Sequence, residues 1–342
     1  MSILELLKKQ IIILDGGFGT FLQKEGLKPG EHTESWNLSH SVIVQSVHQK
    51  YFDAGSNVVC ANTFGANSFN FSHDELDSIV KAAIENAKLA AEKSFGTQEK
   101  FVALDIGPLG KLLKPFGDLD FEKAVSIFAE IVKLGVQHGA DLIVIETMND
   151  SYETKAALLA AKENSSLPVF VTNAYGEDEK LITGASPEAM VALLEGMGAD
   201  AIGANCSLGP KQLSSVAKRI LACASVPVIM KPNAGMPKSV DGKTVFDVDA
   251  KEFCEEMEKF AKMGVTVLGG CCGTNDDYIR LLSKTVKDID FKAPTKKNLT
   301  VVSSYTHAVY FGKKPIIIGE RINPTGKKRF KQALSEHDIG YI

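Results

Sequence analysis

The sequence predicts one large (β/α)8 barrel, an α/β fold. Three observations predict it: eight apolar runs of strand length within about 285 residues, amphipathic stretches between them, and a polar residue where each run should end. The runs are Ile11–Leu14, Asn57–Ala61, Phe101–Leu104, Leu142–Ile145, Val169–Thr172, Ala199–Ala204, Val226–Met230 and Val265–Leu268. Most are continuous in Val and Ile rather than alternating, which suits strands covered on both faces of a parallel sheet.

Stretches 76–95, 121–137, 151–163, 186–196, 210–223 and 248–262 have helical spacing of their apolar residues. Ser186-Pro187-Glu188 reads as a helix start, with a capping serine and a proline in the first turn. Gly139, Gly198 and Gly264 read as helix stops just before a strand. An open doubly wound sheet is the competing architecture. It lacks its usual support, because no strand run leads into a Gly-x-Gly-x-x-Gly turn.

The polar residues at the run ends are Asp15, Asn62, Asp105, Glu146, Asn173, Asn205-Cys206, Asn233 and Cys271-Cys272. In a barrel all eight strand ends open onto one face, where the active site is built. Turns attract Asn and Asp in any fold, but that explains neither Glu146 nor the cysteines.

Composition narrows the function classes. With 44% apolar and 23% charged residues the chain is an ordinary globular protein. A net charge of −4 gives no reason to expect nucleic acid or an anionic membrane as a partner. No stretch reaches the roughly 18 apolar residues that span a bilayer, and the N-terminus lacks a signal-peptide layout. Six unevenly placed cysteines in such a chain suit reduced thiols in a cytoplasmic setting better than a disulfide scaffold.

Cys206 ends the sixth run, and Cys271-Cys272, set among Gly269, Gly270 and Gly273, ends the eighth. Two strands apart, they would lie on the same side of the mouth. Three thiolates with an open fourth position form a catalytic rather than a structural zinc arrangement, and thiolates favour zinc over harder ions. Cys60, Cys223 and Cys254 read instead as small core residues. An electron-rich site of this kind would bind a substrate thiol as thiolate and keep it nucleophilic. Asp15 and Glu146 are candidates for the ammonium group of an amino-acid substrate. The turn containing Gly16 and Gly17 could offer amides to its carboxylate. Asn233 could orient the substrate or fill the vacant metal position.

These motifs resemble the homocysteine S-methyltransferase family. They are LDGGFGT at 14–20, ANTFGAN at 61–67, DIGPLG at 105–110, ETM at 146–148, GANCSLGP at 203–210, KPNAG at 231–235 and GGCCGT at 269–274. The resemblance implies that Cys206, Cys271 and Cys272 are zinc ligands and that Asp15 and Glu146 bind the homocysteine amino group. After residue 287 the pattern changes. A lysine-rich linker, 288–314, precedes IIIGERINPTGKK at 316–328, which resembles the start of the folate-binding barrel of cobalamin-dependent methionine synthases. Residues 315–342 are therefore expected to be the truncated start of a second barrel, with Glu320 and Asn323 at pterin-site positions. The implied donor is methylcobalamin, with cobalamin and folate domains of the same polypeptide as partners. The alternatives are a barrel using betaine or S-methylmethionine, and a thiol redox or non-catalytic metal-binding barrel.

Overall fold

A computed structural model describes residues 1–240, 243–312, 314–319 and 323–341, in two compact units, Met1–Val309 and Tyr310–Ile342. In the first, eight parallel strands run β1 (Ile12–Ile13), β2 (Val58–Cys60), β3 (Phe101–Ile106), β4 (Leu142–Met148), β5 (Val169–Asn173), β6 (Ala201–Asn205), β7 (Val228–Lys231) and β8 (Val267–Leu268). Each neighbours the next in sequence, and β8 pairs with β1. A bridge between Leu14 and Val58, with Asn57 N–H donating to Ile13 C=O at 2.6 Å, joins β1 to β2 and closes the ring. The eight apolar runs are thus the eight strands of the expected barrel.

The outer helices are α1 (Ser41–Ala54), α2 (His73–Lys93), α3 (Phe121–Gln137), α4 (Ser151–Asn164), α5 (Pro187–Gly196), α6 (Ser214–Cys223), α7 (Ala250–Met263) and α8 (Asp276–Val286). Ser186 caps α5, its Oγ accepting from Ala189 N–H, with Pro187 in the first turn. Gly139, Gly198 and Gly264 follow α3, α5 and α7 in the left-handed region, where a side chain would be strained. Between β7 and α7 a hairpin, Pro237–Val240 with Lys243–Phe246, interrupts the alternation.

Two apolar layers hold the barrel. The larger packs strand residues such as Val102, Ile143 and Val171 against the helices. The smaller fills the interior with Leu14, Val58, Val144, Phe170 and Ile229. A short N-terminal helix, Ile3–Leu6, capped reciprocally by Ser2 and Glu5, adds Ile3, Leu6 and Leu7 to this inner layer and closes the end where the strands begin. The inner layer is tight: a Cβ on Gly203 would collide with the Ile229 backbone carbonyl, which cannot swing away. Gly203→Ala should therefore lower stability by about 3 kcal/mol, read as a fall in the urea midpoint at unchanged slope.

Residues 297–306 run beside the barrel. Lys297 N–H bonds Ser225 Oγ at 3.1 Å, Tyr305 Oη donates to Asp150 Oδ1 at 2.9 Å, and Ser186 N–H donates to Thr306 C=O at 3.0 Å. In the second unit a helix spans Lys328–Glu336. No strand is found at the start of residues 315–342 among the described residues: 314–319 join no ladder, and Ile316, Ile317 and Ile318 are exposed. An extended segment needs a neighbour to satisfy its backbone before it becomes a strand. Glu320 lies outside the described residues, and Asn323 is exposed, its Oδ1 accepting from Thr325 N–H at 2.9 Å.

Candidate metal centre

The three cysteines that end β6 and β8 meet. Their sulfurs lie within 4.8 Å of one another, with Cys206 Sγ and Cys272 Sγ 4.0 Å apart. Tetrahedral thiolates at 2.3 Å from a common ion would be about 3.8 Å apart, so little movement would seat one. Backbone bonds fix the loops that carry them. Cys206 N–H donates to Lys231 C=O at 3.1 Å, Cys271 N–H to Pro232 C=O at 2.9 Å, and Ala234 N–H to Cys272 C=O at 2.9 Å. The ends of β6, β7 and β8 are thereby sewn into one support. Cys206 has φ 57°, a left-handed conformation unusual for a side chain of its kind. Gly273, at φ +83°, makes the turn directly after the cysteine pair.

The thiols share their protons unequally. Hydrogen bonds from Cys271 and then Cys272 hold the Cys206 thiol well below the ordinary cysteine range. The bond to Cys206 pushes Cys272 up to about 12, and bonds to both partners, with burial, push Cys271 well up. A thiophilic cation would displace the thiol protons on binding. Around the trio, Asn205 Nδ2 approaches Cys271 Sγ at 3.9 Å and bonds Thr147 Oγ1 at 2.8 Å. Its Oδ1 accepts from Thr147 N–H and Thr172 Oγ1, each at 2.8 Å. Asn233 is buried, its side chain hydrogen-bonds Cys206, and its Oδ1 has no partner.

The trio opens onto a cavity of about 280 Å³, near the small end for ligand sites. Asp15, Gly16, Gly17 and Glu146 line it, whereas Asn233 does not. Asp15 is 1% exposed and already fully engaged: Oδ2 accepts from Cys60 N–H at 2.7 Å and Oδ1 from Lys231 Nζ at 3.2 Å. Glu146 Oε2 accepts from the same Nζ at 2.8 Å. Gly17 N–H is held by Thr274 Oγ1 at 3.1 Å, and a Cβ on Gly17 would stand 2.8 Å from Cys271 C=O.

Lys231 is the residue that sequence reasoning missed. A lysine directly after an apolar strand reads as a surface residue, yet this one is 2% exposed. Burial opposes its charge, but Cys60, Glu146 and Asp15 around it outweigh that and hold the ammonium charged. Cys60, read from sequence as a core residue, also lines the cavity, its Sγ 3.9 Å from Lys231 Nζ. Among the described residues no helix is long and apolar enough to cross a membrane.

Comparison with known proteins agrees with this architecture. Two methionine synthases, from Mycobacterium leprae and Mycobacterium tuberculosis, are each 29% identical to the chain over 98% of its length. The chain spans only 30% of the length of either. The fold matches the crystal structure of the homocysteine methyltransferase MmuM from Escherichia coli in its metallated form, at TM-score 0.70 and 20% identity, covering 82% of this chain and 98% of that one. The apo form of the same protein matches at TM-score 0.67 and 21% identity, over 82% and 97%. Residues 12–286 match the model of the homocysteine S-methyltransferase family across the whole barrel and every cysteine of the trio, and the chain belongs to that family of methyltransferases.

Proposed function

We propose that the chain transfers a methyl group to the thiol of homocysteine, giving methionine, with zinc held by Cys206, Cys271 and Cys272. One observation carries this reading: three converging sulfurs and a group of buried carboxylates line the same cavity. Soft-metal chemistry at one end and ammonium chemistry at the other match the two ends of a thiol amino acid. The donor set suits zinc, being all sulfur, with the unpartnered Asn233 Oδ1 beside Cys206. Bound there, zinc would anchor the substrate thiol and lower its pKa, so that it reacts as a thiolate near neutral pH.

The protein's own residues supply orientation. Asp15 and Glu146, bridged by Lys231, form the negative wall toward the substrate ammonium group. Gly16 and Gly17 form the wall toward the substrate carboxylate, with Gly17 N–H itself held by Thr274 Oγ1. Asn233, braced against Cys206, steadies the thiol end. The narrow cavity keeps the reacting sulfur at the open side of the barrel, where a donor can reach it in line.

Methylcobalamin is the donor this reading favours. Support comes from relatives called methionine synthases and from the resemblance of 316–328 to the opening of a folate-binding barrel. In that arrangement 1–287 is the homocysteine barrel, 288–314 a linker and 315–342 the opening of a folate domain that includes Glu320 and Asn323. Cobalamin and folate domains of a longer polypeptide would recharge the donor from methyltetrahydrofolate. Betaine or S-methylmethionine is the second reading, favoured by the near-complete match to a homocysteine methyltransferase that is itself one barrel long.

The zinc-loaded chain should form methionine from homocysteine with methylcobalamin, and not with betaine or S-methylmethionine. The reverse pattern would select the second reading. Removing the metal with a chelator should lower the rate at least about 100-fold, and added zinc should restore it. Full activity in metal-free protein would defeat the zinc reading.

A further inference from the structure

One more carboxylate of the cavity wall differs from the others in its hydrogen bonding. Asp15 has both oxygens engaged, and Glu146 gives one to Lys231. Asp105, at the end of β3, is 6% exposed and lines the same cavity, yet its Oδ1 has no hydrogen-bond partner. A buried carboxylate oxygen without a donor is costly, and folded proteins rarely tolerate one without a reason. The residue is also held in place. Its N–H donates to Thr63 Oγ1 at 3.0 Å, and its C=O accepts from the same hydroxyl at 2.8 Å. The side chain therefore projects from a clamped backbone.

Oxygen atoms of Asp105 and Glu146 and the sulfur of Cys60 lie within 4.8 Å of one another. At that spacing one small cationic donor could touch both carboxylates at once. Three acidic side chains, Asp15, Asp105 and Glu146, face this end of the cavity with one lysine among them. Burial and the Glu146 charge push the Asp105 carboxyl well up, and a further positive group here would favour its charged form. A primary ammonium fits, because it offers three N–H donors and a compact charge.

We propose that Asp105 is the direct acceptor for the substrate's α-ammonium group, with Glu146 beside it, while Asp15 is a positioning residue locked to Lys231 and the Cys60 backbone. This rests on the proposed function, since it takes the substrate to be an amino acid bound through its thiol. The arrangement assigns the three carboxylates different tasks. Asp15 and Lys231 form a fixed pair that ties β1, β2 and β7 together. Asp105 and Glu146 hold the unmet acceptor capacity that distinguishes an amino acid from a bare thiol acid.

The test compares two ligands on the zinc-loaded chain: homocysteine, and 4-mercaptobutanoate, which keeps the thiol and carboxylate but lacks the amino group. Wild-type protein should bind homocysteine 10- to 100-fold more tightly, and Asp105→Asn should abolish most of that preference while leaving 4-mercaptobutanoate unchanged. Equal loss for both ligands, at unchanged metal content, would make Asp105 structural and overturn the proposal. So would a preference that survives in Asp105→Asn. An inorganic cation is the other possible occupant. Homocysteine affinity that requires added potassium or magnesium in wild type, but not in Asp105→Asn, would assign the site to the ion instead. Wild-type protein that binds neither thiol would count against the proposed function itself, whereas equal binding of the two would sink only the ammonium site.

Discussion

Cys272→Ala should lose its metal and, with it, on the order of 10³-fold or more in methyl transfer to homocysteine. Changing an outer partner of a metal ligand already costs 10–100-fold in affinity or activity, and removing one of three ligands should cost more. The remaining sulfurs, on Cys206 and Cys271, stand on different strand ends and cannot replace the missing side chain without moving loops sewn together by backbone bonds. Metal content by atomic absorption and methionine formation should fall together, while the far-ultraviolet circular dichroism stays unchanged. Cys60→Ala is the matching control. Its sulfur lies beside Lys231 rather than with the trio, and the variant should keep its zinc. Equal metal loss in both would show that any disturbance of the cavity empties the site, and the assignment of ligands would fail.

Lys231→Met should be the most destabilising single change at the site, by about 3–5 kcal/mol. The lysine bridges Asp15 and Glu146 at 3.2 and 2.8 Å, with its side chain 3% exposed. Taking away the cation leaves two buried carboxylates without their counter-charge, and that penalty exceeds the value of the bonds themselves. Chemical unfolding would read it directly. The double variant Lys231→Met/Asp15→Asn should recover part of the loss, because neutralising one carboxylate removes part of the uncompensated charge. A double variant no more stable than additivity predicts would mean that the three groups do not act as a unit. Zinc content should survive in Lys231→Met protein that remains folded.

The barrel was legible because its signal repeats. Each Val/Ile run is ambiguous alone, but eight of them spaced by helix-length intervals leave few topologies. Helix α1 was harder to read, since His40 at its start makes no side-chain capping bond. The hairpin at Pro237–Val240 and Lys243–Phe246 has no apolar alternation to announce it. The cysteine trio was legible for a different reason: glycine neighbours and strand-end positions restrict where those sulfurs can point. The position of Asp105 at the mouth was legible too, but its role and the whole part of Lys231 were not, because they depend on what surrounds them. Lys231 becomes a site residue only through the register that sets it opposite Asn205 and turns its ammonium toward Asp15 and Glu146. Asp105 stands out only once every neighbouring oxygen has been given its donor.

The helix Ile3–Leu6 that stoppers the lower end of the barrel has a kinetic consequence. With Ile3, Leu6 and Leu7 packed against the inner layer, the lower end of the barrel is filled, and the cavity lies at the mouth formed by the strand ends. A methyl donor large enough to reach the sulfur must stand in that doorway. By the proposed function, homocysteine then has to enter before the donor arrives, and methionine cannot leave until the donor has withdrawn. Turnover at that mouth becomes an ordered queue, in which the coming and going of the donor, rather than the transfer itself, can set the pace.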